Sequence, residues 1–567
     1  MQTTDPIKLI GRRFDEMKGH RLSRESEWQS IADHFVPRKD FSCAQRTGDL
    51  RRRRLTSSTP AVALRNSAAM LVSYLIDPTQ PFITPNAEGS MIAAGRLARM
   101  GAEATDFLDN MGWGIFDRMM RPRSGFLTSA ARLSIELWAF GTGVQWIGHK
   151  RGFGPVYLTR PLRSSWIASN GDGIVDTVYY QFTMPLWRVL ETFENARYVD
   201  KWRDAASDEG KMGQSITILH AVEPRRGGEK GGPKERKPFS ERYVALEEKA
   251  VLQEGGYDSF PYAVPRLEVE DGSDYGTGRC WYALPDAIGL SVLQQGVENT
   301  VDLKVTPPVM MPKRMFGKPL DRRPGAVNLY DSGQLGFMSA KDAFQTLDMG
   351  GDVGVGLSYH DRLIQNVDAA MLVDWMRLRE TGNVTAEEIV ERRNLRVGIM
   401  SAHVPGIDRD WMGVVADRSA EIMMAEGDLG DPPSDLSGAN VDWDYAGPLA
   451  RAQRQRQAEA FDRMFQRALA ARELDPAAPY VLNVMEGLRA CAEAEGLPVG
   501  TLRPRGEVAE LVAAEQERAE QAAQMEQMQQ GATALRDGAQ GVASLAGAMG
   551  DGGMDDMPAD AAMRMAA

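Results

Sequence analysis

A chain of 567 residues with 43% hydrophobic and 25% charged side chains can bury a core, and its length suggests about three or four domain-sized pieces. Its 66 Lys and Arg against 78 Asp and Glu leave a net charge of −12, so the surface as a whole repels nucleic acid, which argues against a high-affinity DNA clamp. The three cysteines, Cys43, Cys280 and Cys491, show no C-x-x-C spacing and indicate neither a disulfide framework nor a zinc site. A reducing compartment is expected; no leader precedes the first helix pattern and no apolar run approaches the roughly 20 residues that span a bilayer, so no export and no membrane are expected either.

From about residue 7 to 142 the signals are helical. "IKLIGRRFDEMKGH", "LRNSAAMLVSYLI" and "EATDFLDNMGWGIFDRMM" carry apolar residues at spacings of three and four. The period then changes. "GTGVQWIGHKRGFGPVYLTR" reads as strands bounded by glycines, and Asn170-Gly171-Asp172-Gly173 reads as a turn leading into "IVDTVYYQFT". After a helix at "PLWRVLETF", the strand candidates "SITILHAVE" and "RYVALEEKAVLQEG" flank Arg225 to Pro238, whose Gly, Lys and Arg content reads as an exposed loop.

"YGTGRCWYALPDAIGL" follows, and its spaced glycines feeding a helix raise the possibility of a phosphate loop. Neither G-x-x-x-x-G-K-[ST] nor G-x-G-x-x-G is present, and Trp281 stands where a small residue is needed, so a mechanical joint is preferred and Gly276 and Gly278 are read as a flexible lead-in. Pro285 suits a first helical turn, and Leu290, Leu293, Val297, Val301 and Val305 make one apolar face, with Gln294, Glu298 and Asp302 off it. From Pro285 to the stop at Pro307-Pro308 this predicts a rod of roughly 33 Å. A second rod is predicted from His360, Ile364, Val367, Met371, Trp375 and Leu378. Between the rods lie short extended pieces broken by prolines, with Lys313, Arg314, Lys318, Arg322 and Arg323 against the single acid Asp321 before Gly325: a small basic knob. Beyond the second rod, Gly382-Asn383 marks a turn, and Thr385 with Glu388 forms a capping box at the next helix.

Rival chemistry finds little support. The six histidines include no i, i+4 pair, so the helical H-E-x-x-H metal motif is absent, as is G-x-S-x-G. Glu387, Glu388 and Glu391 are an ordinary complement to a helix N-terminal dipole rather than an acid/base pair. "NGDGIVD" lacks the terminal Glu of a calcium loop, and the run Arg51 to Arg54 reads as a solvated face. No catalytic residue, metal site or cofactor is expected. At the C-terminus, "GEVAELVAAEQERAEQAAQMEQMQQ" supports a short helix with a poorly kept heptad, and most of 541–567 is expected to be disordered.

Seven blocks, in this order and spacing, carry a resemblance: "RESEWQSIADHFVPR" from Arg24, "LTSSTPAVALRNSAAMLVSYLIDPTQPFI", "AFGTGVQWI", "DGIVDTVYY", "YGTGRCWYALPD", "TAEEIVERR" and "SGANVDWDYAGPLARAQR" from Ser437. Together they resemble the head-to-tail connector, or portal, proteins of short-tailed bacteriophages, over about 20 to 490. The resemblance implies an α+β, mainly helical fold with a wing, a two-helix stem, a small mixed clip and a helical crown. In this chain the implied parts are a helical piece of the wing (1–143), a strand-rich wing (144–270), the first stem helix (271–306), the clip (307–349) and the second stem helix (350–379). A channel loop, long helix and return strand (380–445), a helical wing or crown (446–505) and a C-terminal helix with a disordered tail (506–567) complete it. It further implies a homo-oligomeric ring, usually a dodecamer, at one capsid vertex. The implied partners are terminase, a tail adaptor, the major capsid and scaffolding proteins, and double-stranded DNA held without sequence specificity. The expected localisation is the virion, with host cytoplasm during assembly. Glu380, Thr381, Gly382 and Asn383 are the channel-loop candidates, and Lys313, Arg314, Lys318, Arg322 and Arg323 the clip docking candidates. A different virion part, such as a tail adaptor or internal scaffold, and a soluble enzyme with an unrecognised site remain as alternatives.

Overall fold

The computed structural model describes residues 6–39, 41, 56–86, 102–206, 209–225, 237–305, 309–310, 345–346, 353–373, 404–436, 441–445, 448–471, 481–495, 503 and 505–549. They fall into two units, Met1–Arg99 with Phe107–Gly496, and Met100–Asp106 with Leu497–Ala567. The fold is α+β and mainly helical, and its paired strands are antiparallel.

Helix α1 (Pro6–Phe35) starts on a proline whose missing N–H costs nothing there, and it buries Ile10, Phe14, Met17, Arg21, Trp28, Ile31 and Phe35 at helical spacing. Helices α2 (Thr59–Leu75), α3 (Ala102–Met120) and α4 (Phe126–Phe140) follow, with strand β1 (Ile83–Asn86) between α2 and α3. The front end is therefore not purely helical: β1 pairs with a strand from far down the chain, β12 (Asp442–Tyr445), an exchange that no local pattern announces. α4 buries ten of its fifteen residues, including most of its C-terminal half, and ends at Gly141, whose φ of 77° is the left-handed conformation that closes a helix cheaply only in glycine.

The hairpin β2 (Val144–Lys150) and β3 (Gly154–Arg160) joins β9 (Tyr262–Ala263) in a three-stranded sheet, order β3-β2-β9. Strands β4 (Ser165–Ser169), β5 (Val175–Pro185), β6 (Ser215–Pro224), β7 (Phe239–Ala245) and β8 (Ala250–Tyr257) form a five-stranded meander. The Asn170–Gly173 turn sits between β4 and β5, where Asn170 Oδ1 accepts the N–H groups of Asp172 (2.9 Å) and Ile174 (3.0 Å). Alternation along β6 serves two faces. Ile216 and Ile218 meet the short helices α5 (Leu186–Thr192) and α6 (Asp200–Ala206), while Leu219 and Ala221 meet Phe14 of α1.

Helix α7 (Arg279–Val305) begins six residues before Pro285, correcting the expected start. Pro285 is exposed, as is Trp281, whose carbonyl the proline leaves without an N–H to accept. After the strand pair β10 (Val309–Met310) and β11 (Gln345–Thr346), helix α8 (Val353–Ala370) ends earlier than its apolar spacing suggests. Leu372 turns the chain with φ of 60°, held by its own burial and by Ser67, whose hydroxyl donates to the Met371 carbonyl. Trp375 and Leu378 lie outside the described residues. Helix α9 (Val404–Ile407) passes through a π-helical turn, Asp408–Gly413, into α10 (Val414–Glu426).

Helices α11 (Pro448–Ala471) and α12 (Val484–Glu495) form a hairpin in which Phe461 lies so flat on Gly487 that a Cβ there would stand 2.0 Å from the ring. In the smaller unit, helix α13 (Arg505–Met549) runs 45 residues, roughly 67 Å. The expected short helix and the expected disorder over 541–549 are thereby corrected. Ala, Leu, Met and Gln carry intrinsic helix preference even where no packing period exists; residues 550–567 lie outside the described set.

Candidate functional site

Two Gly-Thr-Gly segments, 141–143 and 276–278, meet backbone against backbone. Gly276 N–H donates to Thr142 Oγ1 (2.9 Å), Leu267 N–H to the Gly141 carbonyl (2.8 Å), Thr277 N–H to the Leu267 carbonyl (3.2 Å) and Gly143 N–H to the Pro265 carbonyl (3.0 Å). The backbones are so close that no side chain fits. A Cβ on Gly276 would lie 2.0 Å from the Leu267 carbonyl oxygen, one on Gly278 2.5 Å from that of Ala139, and one on Gly141 2.4 Å from the Thr277 carbonyl carbon. The reading of Gly276 and Gly278 as a flexible lead-in is overturned: the glycines are there for contact, and the joint is clamped.

Side chains from three directions brace it. Arg24 of α1 reaches Thr277 Oγ1 (3.4 Å) and Glu270 (3.2 Å). Buried Arg266 donates to the Gly173 carbonyl (2.5 Å), the Asp274 carbonyl (3.3 Å) and Ser169 Oγ (3.2 Å), with Asp410 at 3.6 Å to balance its charge. Glu268, itself at φ of 27°, accepts the Tyr282 hydroxyl and faces Arg279 at 3.9 Å. α7 therefore leaves a rigid base one residue after Gly278.

From that base α7 and α8 run antiparallel in nearly constant register. The Cys280 thiol meets the Met371 sulfur at 3.9 Å, and Asn366 Nδ2 donates to Asp286 Oδ1 at 3.2 Å. A Cβ on Gly289 would touch Leu363 Cδ1 at 3.6 Å, and one on Gly356 would touch Val297 Cγ2 at 3.5 Å. Steps of 6, 3 and 8 residues out along α7 are matched by steps of 5, 3 and 7 back along the returning chain, over about 25 Å from Cys280 to Val297. The strand pair beyond the helices keeps the same sense, Val309 opposite Thr346 and Met310 opposite Gln345.

Burial fades along this pair. At the root, Cys280, Ala283, Ala287 and Leu290 of α7, Leu363 and Val367 of α8 and Met371 just beyond it are buried, and burial pushes the Cys280 thiol well above its usual range. Farther out, Val292 is 68% exposed, Val305 74% and Val355 68%, and Val301, Leu357 and Tyr359 are exposed as well. Glu298, Asp302 and Asp361 add carboxylates to the exposed surface. Chemically this is a rod with a fixed foot, an uncovered apolar flank and an acidic cast.

The channel-loop candidates Glu380, Thr381, Gly382 and Asn383 and the clip candidates Lys313, Arg314, Lys318, Arg322 and Arg323 lie outside the described residues. Sequence reasoning missed Gly141, Gly143 and Arg266 as parts of the joint; the repeated Gly-Thr-Gly was the available signal, but nothing local says that the two copies touch. Among the described residues no cluster of His, Cys, Asp and Glu could hold a metal ion, and no helix is long and apolar enough to cross a membrane.

A clamped joint carrying an antiparallel helix pair with strands at its far end is a stiff architectural unit and not a ligand pocket. Residues 8–502 match the family model described as bacteriophage head to tail connecting protein, and the chain belongs to that family, whose role is structural. A portal protein of Salmonella phage epsilon15 is 23% identical over 556 residues, 94% of this chain and 95% of the relative. A probable portal protein of Bordetella phage BPP-1 is 22% identical over 475 residues, 80% and 81% of the two chains.

Proposed function

We propose that this chain is the subunit of a portal ring at one capsid vertex, the channel for DNA packaging and ejection. The observation that carries this reading is the antiparallel α7–α8 pair, clamped at its root by the two Gly-Thr-Gly segments, in a chain that aligns with portal proteins over nearly its whole length. In this reading α7 and α8 are the stem, 307–349 the clip and the strand-rich region the wing. The exposed valines of the stem face neighbouring copies in a dodecamer, since each valine-sized side chain buried there contributes up to about 1.5–3 kcal/mol.

The mechanism is electrostatic and geometric. A channel must let DNA slide, and each phosphate neutralised by a cation adds affinity through counterion release, so an acidic stem on a chain of net charge −12 suits passage better than a basic one. Glu380, Thr381, Gly382 and Asn383 form the loop at the narrowest point, and Lys313, Arg314, Lys318, Arg322 and Arg323 dock the terminase or the tail adaptor. Major capsid and scaffolding proteins are the other partners, and no membrane is involved. The test is the mass of the purified assembly under native conditions with negative-stain images of the same sample: a ring near twelve copies with a central hole is expected, and a monomer or dimer that persists with scaffolding protein present would refute the proposal.

A further inference from the structure

A cleft of about 750 Å³ opens between the C-terminal end of α1, the start of α2, α4 and the end of β3. Its floor is apolar, built from Phe35, Pro37, Val62, Leu64 and Ile135. Its rim is cationic. Arg38, Arg65 and Arg132 are exposed, and none of the ion pairs among the described residues engages them. The one acid in the lining, Glu136, is buried and already committed, to Lys39 through Oε1 and to the Leu162 N–H (3.3 Å) through Oε2. Three uncompensated guanidinium groups around an apolar floor, on a chain of net charge −12, are suited to a carboxylate carried on an apolar segment.

The same chain presents such a segment at the other end of β3. Where β3 begins, the turn after α10 is pinned to the hairpin: Glu426 accepts the Gly152 N–H (2.8 Å), and Arg118 ties the Phe153 carbonyl (3.3 Å) to Asp428. Beyond it Asp431 is exposed and engaged by none of those ion pairs, followed by Pro432 and Pro433 and anchored again by buried Leu436. Two prolines fix the backbone, so little conformational entropy is lost when the segment docks. β3 spans seven residues, roughly 20 Å, so the acidic turn and the basic cleft lie at opposite ends of it and do not meet within one chain. Patches at opposite ends are what a head-to-tail ring requires.

We propose that the cleft is half of a subunit contact whose other half is the turn 427–433 of the neighbouring copy, with Asp431 entering between Arg65 and Arg132 and the prolines on the apolar floor. The inference rests on the ring reading and adds the residues that join one copy to the next. The test is charge exchange read by native mass and sedimentation. Arg132→Glu and Asp431→Arg should each weaken association about fivefold, the upper end for an exposed charge pair, with unchanged melting, and the double variant should return to within about twofold of wild type. Single variants that assemble like wild type, or a double variant no better than either single, would overturn the contact while leaving the ring intact; a wild-type protein that forms no ring would instead refute the reading beneath it. Should a single variant melt early, Arg65→Cys with Pro433→Cys replaces it: oxidation should give a ladder of disulfide-linked copies absent from either cysteine alone, and a single band would overturn the proposal.

Discussion

Gly276→Ala is the sharpest perturbation of the joint. The added Cβ would stand 2.0 Å from the Leu267 carbonyl oxygen, 2.5 Å from that of Gly141 and 2.9 Å from the Leu267 nitrogen. All three are backbone atoms, so no side chain can swing aside, and the two segments must separate by about 1 Å to reach ordinary contact. That separation breaks Gly276 N–H to Thr142, Leu267 N–H to Gly141 and Thr277 N–H to Leu267, each worth about 1 kcal/mol, for a local cost of about 3 kcal/mol. Melting temperature is a blunt readout here, because in a unit this large each kcal/mol moves it by only about 1 °C. Native-state hydrogen exchange reads the joint itself: the amides of Leu267, Gly276 and Thr277 should exchange about a hundredfold faster. Gly296→Ala on α7 is the control, with no atom within 4 Å of its Cβ; it should slow exchange about fivefold through helix preference alone. Unchanged protection of those three amides in Gly276→Ala would refute the clamped joint.

Burial raises the Asp408 carboxyl in the π-helical turn to about 6, above its ordinary 3.8, so the fold favours the protonated form and stability is lost as pH rises from 4 through 6. Asp408→Asn should therefore match wild type near pH 4 and exceed it at pH 7 by about 1 kcal/mol, the full shift being reduced because the group is partly open to water; an equal gain at both pH values in urea titrations would contradict this. Val292→Glu with Val355→Glu places charges on exposed stem positions and should leave the chain folded by circular dichroism but monomeric by native mass; intact rings would remove the stem from the subunit contact. Bulky residues at Gly382 and Asn383 should leave rings intact and impair packaging in a complementation assay, and normal packaging would refute the channel-loop assignment. Charge reversal at Lys313 and Arg314 should weaken terminase or adaptor binding in pull-downs from purified components; undiminished binding of both would count against docking there.

What was legible in the sequence was what repeats locally. Leu290, Leu293 and Val297 announce a helix because burial on one side imposes the 3.6-residue period, and Asn170–Gly173 announces a turn because the asparagine side chain satisfies the turn by itself. Pro285 misled because a statistical preference for first turns is overridden wherever water can take the orphaned carbonyl. The C-terminal helix was underread because packing period was demanded of a segment that intrinsic preference carries. The joint was invisible for a different reason. Its two glycine segments are more than 130 residues apart, and each looks alone like an ordinary loop; only their shared intolerance of a Cβ marks them as one object.

The clamp and the bare flank belong together. α7 is 27 residues long, roughly 40 Å, and is held at one end. If the joint were loose by 1 Å across a base about 10 Å wide, the rod would tilt by about 6° and its tip would move by about 4 Å, more than the range over which valine side chains keep contact. Exposed apolar residues such as Val301 and Val305 can find a neighbour reproducibly only if the root is stiff. Packing the root more deeply would give the same stiffness, but buried side chains tolerate small shifts by changing rotamer, whereas backbone against backbone does not. Glycines are the residues that allow that approach, which is why this joint is built from the most pliable residue type.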